Sequence, residues 1–222
     1  MAGLYRRKEN MEKIIYTQRV EVIESYQERR DCADQRIAQF ILACGFLPIP
    51  LSNEVMSVED IIQNLMPSGI ILTGGNSLVR YGGNAPERDL MDAELLRIAV
   101  DKKIPLYGFC RGMQSILDFF GEALMDVEGH TAVRTRLHGK MDPWLGDFNR
   151  EVNSYHRQAC LKVQNPDLEV LAMSRDGVVK AIRHTKYPIL GTMWHPERES
   201  PFADEDIQML RFLLGGEIGG TD

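Results

Sequence analysis

The 222-residue chain carries 26 Lys and Arg against 32 Asp and Glu, a formal charge of −6 and a pI near 5.5. That acidity argues against nucleic acid as the main partner, because phosphate backbones demand a basic face. A single phosphorylated small molecule needs only one or two arginines and is not excluded. The length fits one domain, 1–222, with residues 1–12 as a flexible N-terminal extension. A domain of this size buries roughly 70% of its unfolded surface without staples. The N-terminus has no apolar run of signal-peptide length, and no stretch approaches the roughly 18–20 apolar residues of a membrane span. The expectation is a cytoplasmic protein, free of membrane, with Cys32, Cys44, Cys110 and Cys160 as reduced thiols.

Lys13–Thr17 (KIIYT) reads as a first strand. Ile37, Phe40, Ile41 and Cys44 recur at helical spacing, which predicts a helix over Asp31–Cys44 with Asp31 as cap and Gly45 past its end. Phe46–Pro50 is a second strand, and Ser57–Leu65 a second helix capped by Ser57. Gly69–Thr73 is a third strand closed by Gly74 and Gly75, followed by a long helix over Glu87–Lys102. Ile104–Phe109 then runs straight into a helical pattern at Cys110–Phe120. This alternation predicts an α/β fold with a mostly parallel sheet and right-handed crossovers. From Met125 to Arg150 the regularity fades and a loop is expected. Glu169–Ser174, Val178–Arg183 and Ile189–Trp194 alternate as strands, the first two joined by a turn at Arg175-Asp176-Gly177. A last helix, Ala203–Leu214, follows.

Three segments carry chemistry. In Gly108-Phe-Cys110-Arg-Gly112-Met-Gln114, a cysteine stands at a predicted strand-to-helix junction with glycines two residues to either side. Such a turn lifts a nucleophile out of the sheet and aims a helix N-terminus at it, which lowers a thiol's pKa. A core cysteine with packing glycines would look the same. Met193-Trp-His195-Pro-Glu197 follows the last apolar strand. A cysteine nucleophile needs a base, and the base needs an acceptor on its far nitrogen; His195 and Glu197 supply both. Thr73-Gly74-Gly75-Asn76 ends the third strand, as a simple turn or as a source of backbone N–H for an oxyanion, with a second N–H from Arg111.

Together these segments resemble the class I glutamine amidotransferases: glycine loop, G-x-C-x-G-x-Q elbow and H-P-E, in that order over nearly the whole chain. The resemblance implies that family's flavodoxin-like fold: a mostly parallel central sheet with helices on both faces and a C-terminal antiparallel extension. It implies Cys110, His195 and Glu197 as catalytic triad and a γ-glutamyl thioester on Cys110, with no cofactor. It also implies Gly75 and Arg111 as oxyanion donors and Gln114 as a holder of the γ-glutamyl group.

Pro86-Glu87-Arg88-Asp89 and Asn153-Ser154-Tyr155-His156-Arg157-Gln158 resemble segments of the peptidase C26 branch, the γ-glutamyl-γ-aminobutyrate hydrolases. Thr17-Gln18-Arg19 and Ser25-Tyr26-Gln27-Glu28-Arg29-Arg30-Asp31 depart from those and look more like the smaller γ-glutamyl-CDP-amidate hydrolases of capsular phosphoramidate synthesis. The resemblance thus points to a small-molecule γ-glutamyl amide as partner, with Asn76, Arg19, Ser154, Tyr155 and His156 as further substrate-binding residues. Arg19, Arg29, Arg30, Arg80, Arg134 and Arg136 are the arginines from which a pyrophosphate clamp would be drawn, or they lie on solvated faces. His156 either contacts substrate, supports His195 or is structural. His130, His138 and His184 have no ligand spacing, and no metal is assigned. Trp144 and Trp194 read as packing. A glutaminase subunit feeding a separate synthetase and a non-enzymatic binder remain open alternatives. Sequence does not fix the oligomeric state; a homodimer is allowed.

Overall fold

Adjacent isoleucines on the inner strands enter opposite cores. Ile14 and Ile71 pack with Phe40, Ile41 and Leu210 on one face, while Ile15 and Ile70 pack with Leu95, Ile98 and Ile116 on the other. Strands buried on both faces need such unbroken apolar runs, and parallel sheets covered by crossover helices provide the setting. The computed structural model describes residues 11–54, 57–142 and 146–215. Most of the expected N-terminal extension, and Trp144, lie outside these residues.

In chain order, β1 (Lys13–Thr17), β2 (Arg19–Ile23), β3 (Glu28–Cys32), α1 (Gln35–Ala43), β4 (Leu47–Leu51), α2 (Val58–Leu65) and β5 (Gly69–Leu72) come first. Next come α3 (Pro86–Lys102), β6 (Leu106–Phe109) and α4 (Arg111–Phe119). Then follow β7 (Met125–Asp126), β8 (Thr131–Gly139), β9 (Met141–Asp142), β10 (Gly146–Asp147), β11 (Glu151–Tyr155) and β12 (Gln158–Ala159). The chain continues through β13 (Leu168–Ser174), β14 (Val179–His184), β15 (Ile189–Thr192) and α5 (Asp204–Gly215).

The main sheet has nine strands in the order β11-β8-β13-β14-β15-β6-β5-β1-β4. From β15 to β4 every pairing is parallel, and from β15 outward to β11 every pairing is antiparallel. Counting only the parallel strands, the order is the 2-1-3-4-5 of flavodoxin-like sheets, whose ligands bind beyond the carboxyl ends of the strands. The α/β expectation, with its antiparallel extension, is therefore what the structure has. Pro48 and Pro50 fit because β4 is an edge strand, where a missing N–H costs no ladder bond. Among the described residues no helix is long and apolar enough to cross a membrane.

Two expectations are corrected. The first helix begins at Gln35, not Asp31, and its cap is Asp34, whose side chain accepts from Arg36 N. The apolar positions that signalled the helix all lie from Ile37 onward, so the periodicity never required the earlier turn. Residues 28–32 instead pair with β2 as an antiparallel hairpin, and Asp31 accepts from Ser52 Oγ at 2.7 Å and Asn53 N at 3.0 Å. The described part of 125–150 is also not simply loop, since β8 is nine residues long and is hydrogen-bonded to both β11 and β13. Its sequence, TAVRTRLHG, buries only Leu137, so it lacks the apolar alternation by which a strand is recognised.

Candidate active site

Cys110 sits between the end of β6 and the start of α4, with φ 52° and ψ −107°. That backbone is sparsely populated for an L-residue and costs about 1–3 kcal/mol unless its surroundings fix it. They do: Cys110 N donates to Thr192 O at 2.7 Å, and its carbonyl accepts from Gln114 N at 3.1 Å. The flanking glycines are there for space. A Cβ on Gly112 would land on the Leu72 carbonyl, and one on Gly108 would lie 2.6 Å from the Gly112 carbonyl carbon. The strand, the elbow and the helix can approach this closely only with hydrogen at both positions.

His195 follows β15 and is bracketed by one amide. Its N–H donates to Asn153 Oδ1 at 2.9 Å, and its carbonyl accepts from Asn153 Nδ2 at 2.8 Å. From α1, Arg36 Nε donates to Glu197 O at 2.6 Å, which holds the His-Pro-Glu turn from the other side. Phe109 and Tyr155 present ring edges to the imidazole, at centroid distances of 5.6 Å and 5.8 Å. The buried Glu197 carboxylate meets His195 Nδ1 at 2.7 Å. With Nδ1 so engaged, Nε2 is the nitrogen left to serve the Cys110 thiol.

Burial opposes charge on both Cys110 and His195, pushing the thiol pKa up and the imidazole pKa down. Their mutual attraction overrides it. The His195 charge, with the Arg111 backbone, brings Cys110 below the ordinary thiol value. Cys110 and Glu197 together raise His195 well above the ordinary imidazole range. Both shifts run in the direction of a thiolate–imidazolium pair.

The glycine loop beyond β5 is held from beneath by Arg88, a fully buried residue of α3. Its guanidinium donates to Thr73 O at 2.7 Å, Gly74 O at 2.9 Å, Gly75 O at 2.6 Å and Asn76 Oδ1 at 3.2 Å. A trans peptide points its N–H opposite to its carbonyl. Fixing Gly74 O toward Arg88 therefore turns Gly75 N–H away from it. On its own Cβ side, Gly74 is so close to His195 that an added methyl would sit 2.8 Å from Cε1. Gly75 has φ +87°, a conformation that glycine adopts without strain.

The residues expected to bind substrate divide into two groups. A cavity of about 280 Å³ opens beside His195, bounded by Arg19, Asp34, Gly74, Gly75, Glu197 and Arg198. Arg19 contributes from the β2–β3 hairpin, paired with Glu21. Tyr155 is half-exposed and lies under the Arg198 guanidinium, 4.2 Å from ring centroid to Cζ. Gln114 is buried and donates to Gln158 O at 2.8 Å. Neither Tyr155 nor Gln114 lines that cavity, and the rest turn elsewhere. Asn76 exchanges hydrogen bonds with the Val20 backbone, at 2.9 Å and 3.0 Å, and so attaches the hairpin to the loop. Ser154 and His156 are buried and face Lys180.

The other named arginines do not gather at the cavity. Arg29 pairs with Glu87, Arg30 with Glu28, Arg80 with Asp118, and Arg134 with Glu151 and Glu199. Arg136 is exposed on β8. The Arg111 side chain is also structural, buried against Asp89 and Asp92 of α3. Trp194 is packed as expected, donating to Asp206 Oδ1 at 3.0 Å. Sequence reasoning missed the roles of Arg36, Arg88, Asn153 and Lys180. Only Lys180 left a plain signal, one cation inside the apolar run Val178–Ile182.

Comparison with known proteins agrees with this geometry. Residues 14–197 match the peptidase C26 family. The chain is 32% identical over 200 residues to the γ-glutamyl-CDP-amidate hydrolase of Campylobacter jejuni, covering 88% of this chain and 94% of that protein. It is 30% identical over 213 residues to the γ-glutamyl-γ-aminobutyrate hydrolase of Escherichia coli K12, covering 80% and 82%. Among solved structures, a glutamine amidotransferase of Thermotoga maritima superposes with a TM-score of 0.65 at 13% identity, covering 94% of this chain and 86% of that one. Another, from Methylobacillus flagellatus, gives 0.63 at 17% identity, covering 86% and 72%. The fold is that of the class I glutamine amidotransferases, and the chain belongs to the peptidase C26 family of cysteine-dependent amide hydrolases.

Proposed function

We propose that the chain hydrolyses γ-glutamyl amides through a thioester on Cys110, with His195 and Glu197 completing a triad. The observation that carries this is the buried His195 Nδ1–Glu197 pair at 2.7 Å, set beside a left-handed cysteine at the carboxyl end of β6 whose thiol and the imidazole favour each other's charged forms. In the acylation step the thiolate attacks the γ-carbonyl, and Gly75 N–H and Arg111 N–H receive the oxyanion. His195 imidazolium gives its proton to the departing nitrogen as the C–N bond breaks. A water that loses its proton to His195 then attacks the thioester, and glutamate leaves with the thiolate restored. Every proton in this cycle moves between Cys110, His195, substrate and water. The chemistry balances without a cofactor.

For the leaving group, our reading is cytidine diphosphoramidate, released from a γ-glutamyl-CDP-amidate. Its support is the likeness to the Campylobacter jejuni relative over 94% of that protein's length, together with the guanidinium of Arg19 at the cavity mouth. A planar guanidinium suits phosphate oxygens. The second reading is a γ-glutamyl-γ-aminobutyrate hydrolase, favoured by the Escherichia coli relative and by the same cation, which suits a carboxylate as well. A panel of γ-glutamyl-CDP-amidate, γ-glutamyl-γ-aminobutyrate and glutamine, ranked by kcat/KM, separates them. Preference for glutamine over both would sink the hydrolase reading in favour of a glutaminase subunit.

A further inference from the structure

One buried cation near the triad has no part in the cycle above. Lys180 stands on β14 with 1% of its surface exposed, in a stretch where Val178, Val179, Ala181 and Ile182 are buried too. An ammonium has three N–H donors and no acceptor. All three are used: Lys180 Nζ donates to His156 Nε2 at 2.7 Å, His130 Nδ1 at 3.0 Å and Ser154 Oγ at 3.0 Å.

These bonds fix the two imidazoles. A ring nitrogen that accepts from an ammonium is the unprotonated one, so His156 carries its proton on Nδ1 and His130 on Nε2. From Nε2, His130 donates to Asp176 Oδ2 at 2.8 Å. The rings stack 5.0 Å apart. Protonation of His156 is opposed by burial and then by the Lys180 charge, which hold its pKa down at about 3. The three direct partners of Lys180 are therefore neutral.

What balances the charge lies one shell out. The carboxylate of Asp176, on the β13–β14 turn, is reached through His130, and Cys110 lies one strand beyond, its N–H donating to Thr192 O beside Met193. His195 faces the same cluster from the end of β15 and adds to the field on His156. The backbone ties the two sites together, since Met193 N donates to Lys180 O at 2.8 Å, two residues before His195. Burial still lowers the Lys180 pKa, to about 8, with Asp176 and Cys110 working in the opposite direction.

We propose that Lys180 is a positioning residue for acyl transfer: its ammonium fixes Ser154 and His156, which flank the Asn153 and Tyr155 contacts to His195, and supplies a buried positive charge that favours the thiolate. This rests on Cys110 being the nucleophile, and the experiment keeps the two ideas apart. Alkylation of Cys110 by iodoacetamide is followed against pH by peptide mass mapping in wild type, Lys180→Met and Lys180→Arg. Lys180→Met is expected to move the alkylation midpoint up by about half a unit to one unit and to lower kcat/KM on a γ-glutamyl amide about tenfold or more. Lys180→Arg, which keeps the charge, is expected to hold the wild-type midpoint even where kcat falls. An unchanged midpoint in folded Lys180→Met overturns the proposal. Should Lys180→Met not fold, 15N-lysine NMR of wild type and Cys110→Ala reads the coupling from the other side, with the Lys180 signal assigned from Lys180→Arg. Loss of the thiolate should lower the Lys180 midpoint, and equal midpoints in the two proteins would overturn the proposal. Absence of Cys110 labelling in wild type would instead remove the nucleophile on which both readings stand.

Discussion

Around Cys110, the parallel half of the sheet presents backbone: the Arg111 N–H, the Thr192 carbonyl, and glycines packed to the limit of their volume. Around His195, the antiparallel wing presents side chains, namely Asn153, Ser154, His156 and Lys180, joined by hydrogen bonds. The difference is one of tolerance. Backbone geometry at the elbow is set by close packing and fails when volume is added. The wing's geometry is set by charge and donor–acceptor matching, and it fails when a proton or a charge moves. Substitutions in the first region should therefore act on turnover at every pH, while those in the second should act through pH dependence.

The largest effect expected is at the elbow. Cys110→Ala should lower turnover of any γ-glutamyl amide by about 10⁴-fold or more, with an unchanged far-UV CD spectrum. Hydrolysis at wild-type rate in a preparation free of contaminating enzyme would remove Cys110 from the mechanism. Cys110→Gly should be equally inactive yet melt at a higher temperature than Cys110→Ala, because glycine relieves about 1 kcal/mol of left-handed strain. Equal melting points would mean that the elbow stores no strain.

Arg88→Met comes next. The substitution leaves the carbonyls of Thr73, Gly74 and Gly75 without the Arg88 donor, so stability should fall by about 2–4 kcal/mol. If the loop presents Gly75 N–H to the oxyanion, kcat should fall by about 10²-fold or more while KM changes little. A variant that loses stability but keeps kcat would show that the loop does not bind the oxyanion. Glu197→Gln tests the junction of the two regions. Removing that carboxylate lets the His195 pKa fall, and it also removes a charge that raises the Cys110 pKa. Both limbs of the pH profile of kcat/KM should move toward acid, with a loss of about 10- to 100-fold at the optimum. An unmoved profile would mean that Glu197 only packs.

The same contrast explains what the sequence disclosed. Strands β1, β5 and β6 carry apolar runs buried on both sides, and the elbow and His-Pro-Glu are contiguous in the chain, so local pattern sufficed for the sheet and for three catalytic candidates. β8 stayed hidden because its hydrogen bonds are made to β11 and β13, while its own side chains are mostly solvated. The roles of Arg36 and Arg88 depend on which carbonyls lie across a fold boundary, and residue type does not encode that. Asn76 and Ser154 sat in the right segments, but their direction is set by Val20 and Lys180, one far upstream and one far downstream. Arg29, Arg30, Arg80 and Arg134 lie away from the cavity for a simpler reason. Each has a carboxylate nearby in space that is remote or unremarkable in sequence, as Arg80 has in Asp118 and Arg29 in Glu87.

The smallest effect, and the one that isolates the wing, is in acid stability. His156 titrates near 6.5 when unfolded but is held to about 3 in the fold, so between those values the unfolded chain binds the extra proton. Stability from this residue is complete above 6.5 and is lost progressively as pH falls toward 3. His195 has the opposite sign: its raised pKa gives stability that is complete below the unfolded value and is lost as pH rises through the folded one. It is therefore silent in the acid window, and so is Lys180, which is protonated there in both states. In His156→Gln the amide oxygen still accepts from Lys180, but nothing titrates. The urea midpoint of this variant should fall less steeply than wild type between pH 6.5 and pH 4, with the two proteins differing little at pH 7.5. Parallel lines would mean that His156 is already charged in the native wing, and Lys180 would then lack the neutral acceptor on which its own placement depends.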